Sequence, residues 1–189
     1  MRATMIAIVL AGAVLACEAQ ARPEIPREIS AAGTVQVAFP PWDDAEAMVV
    51  TAIDAARRQI RVQAFSFTSR TIARALVAAK RRGVDVEVTA DREQTFGGEF
   101  TRIPELAAAG IPVWLEVRYA AAHSKVMIID PDSRESAVIT GSFNWTASAQ
   151  RRNAENLLIV RRNRELAAAY LRNWEQRRAD ALPYGRPRR

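Results

Sequence analysis

Residues 59–90 read QIRVQAFSFTSRTIARALVAAKRRGVDVEVTA. Ile60, Val62 and Ala64 alternate with Arg61 and Gln63, the two-residue period of a strand, and the run continues through Phe65-Ser66-Phe67. Thr68-Ser69 then offers a side-chain oxygen to the unpaired N–H groups that open a helix. The apolar spacing lengthens accordingly, with Ile72, Leu76 and Ala79 on one helical face. Lys80, Arg81 and Arg82 fall in the last turn, where the helix dipole favours cations, and Gly83 ends it. Val84, Val86 and Val88 return to alternation. Strand, helix, strand in this order is the unit from which sheets flanked by helices are built.

Outward from this unit the same alternation holds. Val35 to Phe39 is strand-like, and Met48, Val49, Ala52, Ile53 and Ala56 mark a helix whose capped start fits Asp43 and Glu46. Asp91-Arg92-Glu93 reads as a turn at a strand end. Phe100 to Ala109 is a short helix closed by Gly110, and Val113 to Val117 is a strand. This β-α-β-α-β-α-β order predicts an α/β fold with a mixed, mainly parallel sheet and helices on both faces. Ligands in such sheets sit at the carboxyl ends of strands. Beyond Tyr119 the apolar runs Val126 to Ile129, Ala137 to Thr140 and Leu157 to Val160 are short enough for buried strands. Leu166, Tyr170, Leu171 and Trp174 stripe a final helix. A single domain is expected over 34–181, after a flexible lead-in at 22–33 and before a mobile basic tail at 182–189. No internal repeat is visible.

The chain has 189 residues, 49% apolar and 25% charged, a size suited to one core. Its 27 basic and 21 acidic residues leave a net +6, which favours polyanionic partners such as nucleic acid or anionic lipid. Nearly all the positive charge is arginine; the only lysines are Lys80 and Lys125. Arg2, the apolar stretch Met5 to Ala16 and Ala19-Gln20-Ala21 have the layout of a secretory signal cleaved after Ala21. That predicts a periplasmic or secreted protein with no stable membrane span, since the apolar stretch is shorter than the ~20 residues a spanning helix needs. A lipid anchor at Cys17, in Val14-Leu15-Ala16-Cys17, is the minor alternative. Cleavage after Ala21 leaves no cysteine, hence neither disulfides nor thiolate metal ligands.

Three short segments carry chemistry: His123-Ser124-Lys125-Val126-Met127-Ile128-Ile129-Asp130, Gly141-Ser142-Phe143-Asn144-Trp145, and Asn153-Ala154-Glu155-Asn156. If Lys125 opens a strand, His123 and Lys125 share one face, which sets a nucleophile beside a cation. An apolar strand that begins with a His and a Lys is an odd structural choice, because burying either group uncompensated is costly. The second segment supplies a hydroxyl, an amide and backbone N–H groups on a glycine turn, the parts of an anion cradle.

The pattern H-x-K-x4-D followed by G-S-x-N resembles the phospholipase D superfamily, and specifically its small bacterial endonucleases that carry one such motif per chain. The resemblance spans most of 34–180. It implies that His123 attacks phosphorus to form a phosphohistidine while Lys125, Ser142 and Asn144 grip the non-bridging oxygens. It implies further that Glu155 orients His123, and that Asp130 supports the site structurally from outside it. Because most of the family holds two motifs in one chain, the resemblance also implies a homodimer with a shared active site. Ser124 stands at a variable motif position and receives no role.

Plainer readings stand beside these. Asp130 before Pro131 is also an ordinary turn residue, Asn144 fits a helix cap, and Glu155 could pair with a neighbouring arginine. Arg151 and Arg152, between the cradle and Glu155, are the best candidates for a phosphate track. Trp145 is the aromatic placed to touch substrate, whereas Trp42 and Trp174 read as core or interface packing. One histidine and no tight carboxylate group predict no metal and no cofactor. The functional expectation is a metal-independent endonuclease of low sequence specificity acting on DNA or RNA. A lipid phosphodiesterase and a DNA-binding module without turnover are the alternatives.

Overall fold

The computed structural model describes residues 28–185. The expected secretory signal, the Cys17 alternative, the first part of the expected lead-in and the last four residues lie outside the described residues. In chain order the elements are β1 (Thr34–Ala38), α1 (Ala45–Ala55), β2 (Gln59–Ala64), α2 (Arg70–Arg81), β3 (Asp85–Asp91), α3 (Arg92–Gly97) and α4 (Ile103–Ala108). They continue with β4 (Val113–Glu116), β5 (Lys125–Ile129), β6 (Ala137–Gly141), α5 (Ala147–Arg151), β7 (Leu157–Arg161), α6 (Arg164–Ala179) and β8 (Leu182–Pro183).

Local chemistry sets most boundaries. Ser69 Oγ accepts the Ile72 N–H at 3.0 Å and starts α2 as its sequence predicts. The cap of α1 is one residue later than expected: Asp44 accepts the Ala47 N–H at 2.9 Å, while Asp43 accepts that of Phe39 at 2.8 Å. Asp91-Arg92-Glu93 is not a simple turn. Asp91 accepts the Gln94 N–H at 2.8 Å and caps α3, since the acidic residues that suit a turn also suit a helix start. The helix expected from Phe100 begins only at Ile103, with Pro104 in its first turn, where a missing N–H costs nothing.

All eight strands form one sheet in the order β1-β7-β6-β5-β2-β3-β4-β8. The sheet is mixed, as expected, but the expectation of a mainly parallel one is corrected by its pairings. Only β2 with β3 and β3 with β4 are parallel; the other five pairs are antiparallel. β1 runs in the direction of β2, β3 and β4, yet β7, β6 and β5 lie between. Residues 130–136 joining β5 to β6 are too few for a crossover, so that pair folds back on itself. Apolar periodicity identifies strands but not their neighbours.

Helices α1, α2 and α4 cover one face of the sheet, where Val49, Ile53, Ile72, Leu76, Ile103 and Leu106 pack on inward residues such as Val62, Val88, Met127 and Ile139. On the other face α6 places Trp174 against Val126 and Ile128. The polar side of β2 is therefore not solvated. Arg61 is buried there against Asp85 at 2.5 Å and Glu87 at 3.5 Å, and Arg178 of α6 reaches Glu87 at 3.1 Å. Buried charges persist only when paired in this way.

Both ends of the domain are tied down further than expected. Leu182 and Pro183, assigned above to the tail, pair with Leu115 and Trp114 at the sheet edge. Proline suits that position because an edge strand needs no donor on its outer side. At the other end, within the expected flexible lead-in, the Ser30 carbonyl accepts the Asn163 amide at 2.9 Å. No helix among the described residues is long and apolar enough to cross a membrane.

Candidate active site at one end of the sheet

The carboxyl ends of β2, β3, β4 and β6 and the amino ends of β5 and β7 meet at one rim of the sheet. Lys125, the first residue of β5, lies opposite Ala64 of β2 and is only 6% exposed. Its Nζ lies 2.7 Å from His123 Nδ1, 3.2 Å from Nε2 and 2.7 Å from the His123 carbonyl. The Phe65 ring lies 4.2 Å from the imidazole, centroid to centroid, and 4.8 Å from the ammonium. Burial holds the Lys125 ammonium below the usual lysine range, and the Glu155 carboxylate offsets part of that fall. His123 itself is exposed at the mouth.

Two anchors fix the chain on either side of His123, and sequence reading assigned neither. Buried Asp91, which caps α3 with one oxygen, accepts the Ala122 N–H at 2.8 Å with the other. Ser124, which the motif left without a role, is bonded to Arg177 of α6 at 2.6 Å, and Arg177 is held by buried Glu116 at 2.6 Å. The signal was present: Asp91 and Glu116 are acids at the last positions of neighbouring apolar strands.

The second and third segments form a separate network on the same rim. Ser142 Oγ donates to Glu155 Oε2 at 2.5 Å, Asn153 Nδ2 donates to Glu155 Oε1 at 2.9 Å, and the Asn156 N–H donates to Ser142 Oγ at 3.0 Å. Gly141 has φ +149°, and a Cβ there would lie 2.3 Å from the Asn156 carbonyl oxygen, so only glycine permits this approach. That carbonyl accepts the N–H groups of Ser142 and Phe143 at 3.1 and 3.2 Å. The N–H groups of Ser142 and Phe143 are therefore engaged within the protein, and these two do not serve as the free donors expected of an anion cradle. Asn144 leaves its Oδ1 buried without a hydrogen-bond partner among the described residues.

Three placements depart from expectation. Glu155 bonds Ser142 and Asn153 rather than His123. Trp145 is fully buried, its Nε1 bonded to the Gln63 carbonyl at 3.0 Å, so it is a core residue and not a substrate contact. Trp174 is buried in the core, while Trp42, 85% exposed, is not a core residue, which leaves the interface half of its expectation open. Asn144 is no helix cap either: α5 is capped by Thr146, which accepts the Ala149 N–H at 3.1 Å. Arg151 and Arg152 stand exposed at the end of α5.

Asp130 lies at the other end of β5, about 16 Å from Lys125 at the ~3.3 Å rise of a strand residue. Its carboxylate accepts the N–H groups of Arg57, Arg58 and Gln59, each at 2.8 Å. It pins the entry of β2 to the exit of β5 and touches no residue of the rim described above. A groove of about 520 Å³ opens instead beside His123 and Ser124, bounded by Tyr119 and by α6 residues including Asn173 and Arg177. Among the described residues no three His, Cys, Asp or Glu side chains gather into a possible metal site.

Comparison with known proteins identifies the family and the fold. The family described as "Cardiolipin synthase, PLD-like domain" matches residues 49–178. A protein named phospholipase D from Rickettsia felis is 40% identical over 145 residues, 77% of this chain and 70% of that one. The crystal structure of Nuc, a phospholipase D family member from Salmonella typhimurium, aligns with a TM-score of 0.75 at 36% identity, over 81% of this chain and 99% of that one. NucT from Helicobacter pylori shares the fold, with a TM-score of 0.71 at 24% identity over 80% and 99% of the two chains.

Proposed function

The chain belongs to the phospholipase D-like family of phosphodiesterases, and from that premise we propose that it is a metal-independent endonuclease of low sequence specificity. The observation that carries the reading is an exposed histidine 2.7 Å from a buried ammonium, beside a groove whose walls are mostly polar. In the first step a ring nitrogen of His123 attacks phosphorus; the P–N bond forms as the P–O bond to the leaving 5′ oxygen breaks. Lys125 and the Asn144 amide hold the non-bridging oxygens as charge builds on them, and Ser142 joins them by exchanging its bond to Glu155 for one to phosphate. Water then attacks phosphorus and breaks the P–N bond, which frees His123. Exposed Arg151 and Arg152 suit the flanking phosphates, so affinity should fall steeply with salt.

The leaving oxygen needs a proton that the attacking histidine cannot give, and the chain holds no second histidine. A second copy supplies one, in a homodimer that shares the site. Val35, Val37, Phe39 and Trp42 support this, being exposed apolar side chains close in sequence to Pro40, whose carbonyl accepts the Glu155 N–H at 3.3 Å. If His123→Ala chains are co-refolded with wild type, activity should follow the square of the wild-type fraction; a linear response would leave each chain acting alone.

The name of the Rickettsia relative makes a lipid phosphodiester the second reading. The groove beside His123 argues against it, since acyl chains would meet Asn173, Gln176, Arg177 and Asp180. Purified mature protein should nick plasmid in excess EDTA and leave phosphatidylcholine vesicles intact. Lipid cleavage without nicking would reverse the assignment, binding without nicking would make the chain a DNA-binding module, and nicking only after a divalent ion is restored would defeat the mechanism. Export to the periplasm or beyond is proposed on residues 1–21 alone.

A further inference from the structure

The phosphate chemistry uses one corner of the groove beside His123 and leaves the rest of its 520 Å³ unassigned. That volume lies within the range of small-molecule clefts. Tyr119 stands on its wall 51% exposed. The Arg177 guanidinium lies 5.3 Å from the tyrosine ring centroid, close enough for a cation–π contact. Arg177 is not free to move, because Glu116 and Ser124 each hold it at 2.6 Å and its side chain is largely buried. Tyr119 is therefore an aromatic ring braced by a fixed cation and half open to solvent. Asn173 and Gln176, exposed on the facing helix, add amides to the same groove. Asn173 Oδ1 already accepts from Gln63 at 3.2 Å, so its NH₂ group remains available as a donor.

A flat π surface with amide donors and acceptors around it is the complement of a nucleobase. Stacking accepts any base because every base has a π face, whereas the amides can bond a base edge. We infer that this groove is a nucleoside subsite, in which the base next to the phosphate at His123 and Lys125 lies on Tyr119, with Asn173 and Gln176 meeting its edge. The inference rests on the nuclease reading and adds to it a place for the base. Arg177 has two jobs in this arrangement: it braces the stacking ring and, through Ser124, fixes the chain that carries the nucleophile. The scissile phosphate is positioned from its base as well as from its own charge.

The test is a cycle in which base and ring are removed separately and together. The substrates are a short single-stranded oligonucleotide and the same strand with abasic residues on both sides of the cleaved linkage. Each is offered to wild type, Tyr119→Ala and Tyr119→Phe. On removal of the bases wild type should show a KM raised roughly tenfold, the order expected for one stacked base, with kcat little changed. Tyr119→Ala should show that rise already on the intact strand and no further rise on the abasic one, while Tyr119→Phe should behave as wild type. Equal KM for both strands with wild type, or an equal added loss from Tyr119→Ala on both strands, would overturn the subsite and leave the nuclease reading standing. If wild type cuts neither strand yet hydrolyses bis(p-nitrophenyl) phosphate, the nuclease reading falls and the subsite falls with it.

Discussion

At the start of β5 a buried ammonium meets an exposed imidazole at 2.7 Å, and at its end a buried carboxylate accepts three backbone N–H groups at 2.8 Å each. The two charges belong to one short motif and one strand, yet they are used in opposite ways. Asp130 has its acceptor capacity filled by the protein, so it has little left to offer a substrate. Lys125 bears a burial penalty that its neighbours offset only in part, the condition of a group kept ready for an incoming anion. Adjacency in a motif therefore says nothing about proximity when a strand lies between the letters. The strand carries reactive groups at one end and holds its neighbour β2 at the other.

The largest effects should fall at the reactive end. His123→Ala should reduce turnover by at least about 10³-fold, and Lys125→Ala by about 10² to 10³-fold, the range for losing one donor to transition-state charge. Neither should lower the midpoint of urea unfolding, because His123 is exposed and loss of Lys125 removes a burial penalty. Unfolding of either variant, seen by circular dichroism, would show the comparison to be drawn wrongly. At the pinned end the signature should invert. Asp130→Ala strands three backbone donors and should cost about 3 kcal/mol of stability by denaturant titration, while protein that remains folded keeps kcat within a few-fold. A stable Asp130→Ala protein without activity would return Asp130 to the chemistry.

A smaller effect separates the two ends by pH. Below its folded-state pKa Lys125 is protonated in the folded and the unfolded chain alike, and the folded chain carries the full penalty. Between that value and the ordinary 10.5, the folded chain has released a proton that the unfolded chain keeps, so stability rises with pH across this window. Lys125→Met lacks the penalty at every pH. The difference in urea midpoint between the variant and wild type should therefore narrow as pH climbs toward 10.5. A constant or widening gap would mean that burial does not dominate at Lys125.

Much of this was legible in the sequence where the cause is local. Alternation located β2 and β3, Ser69 announced α2, and the spacing of His123 and Lys125 placed both at a strand opening. What failed depended on partners remote in sequence. The order of strands, the polar face of β2 covered by α6, and Arg177 bracing both Ser124 and Tyr119 are not encoded in any local period. Trp145 misled because it follows Asn144, yet alternation gives Phe143 and Trp145 the same inward face and leaves Asn144 the other. Glu155 was expected on His123 from the family pattern; its bond to Asn153 is local, and its bond to Ser142 appears only once β6 and β7 are paired.

The central claim is that the rim at Lys125 performs covalent chemistry and the Asp130 end does not. Its most direct test is to mix protein with a labelled oligonucleotide in EDTA, quench in alkaline denaturant, and search by mass spectrometry for nucleotide joined to protein through an acid-labile P–N bond. The account predicts an adduct on His123 in wild type and in Asp130→Asn, and none in His123→Ala. Turnover with inversion at phosphorus and no adduct on His123 would contradict it.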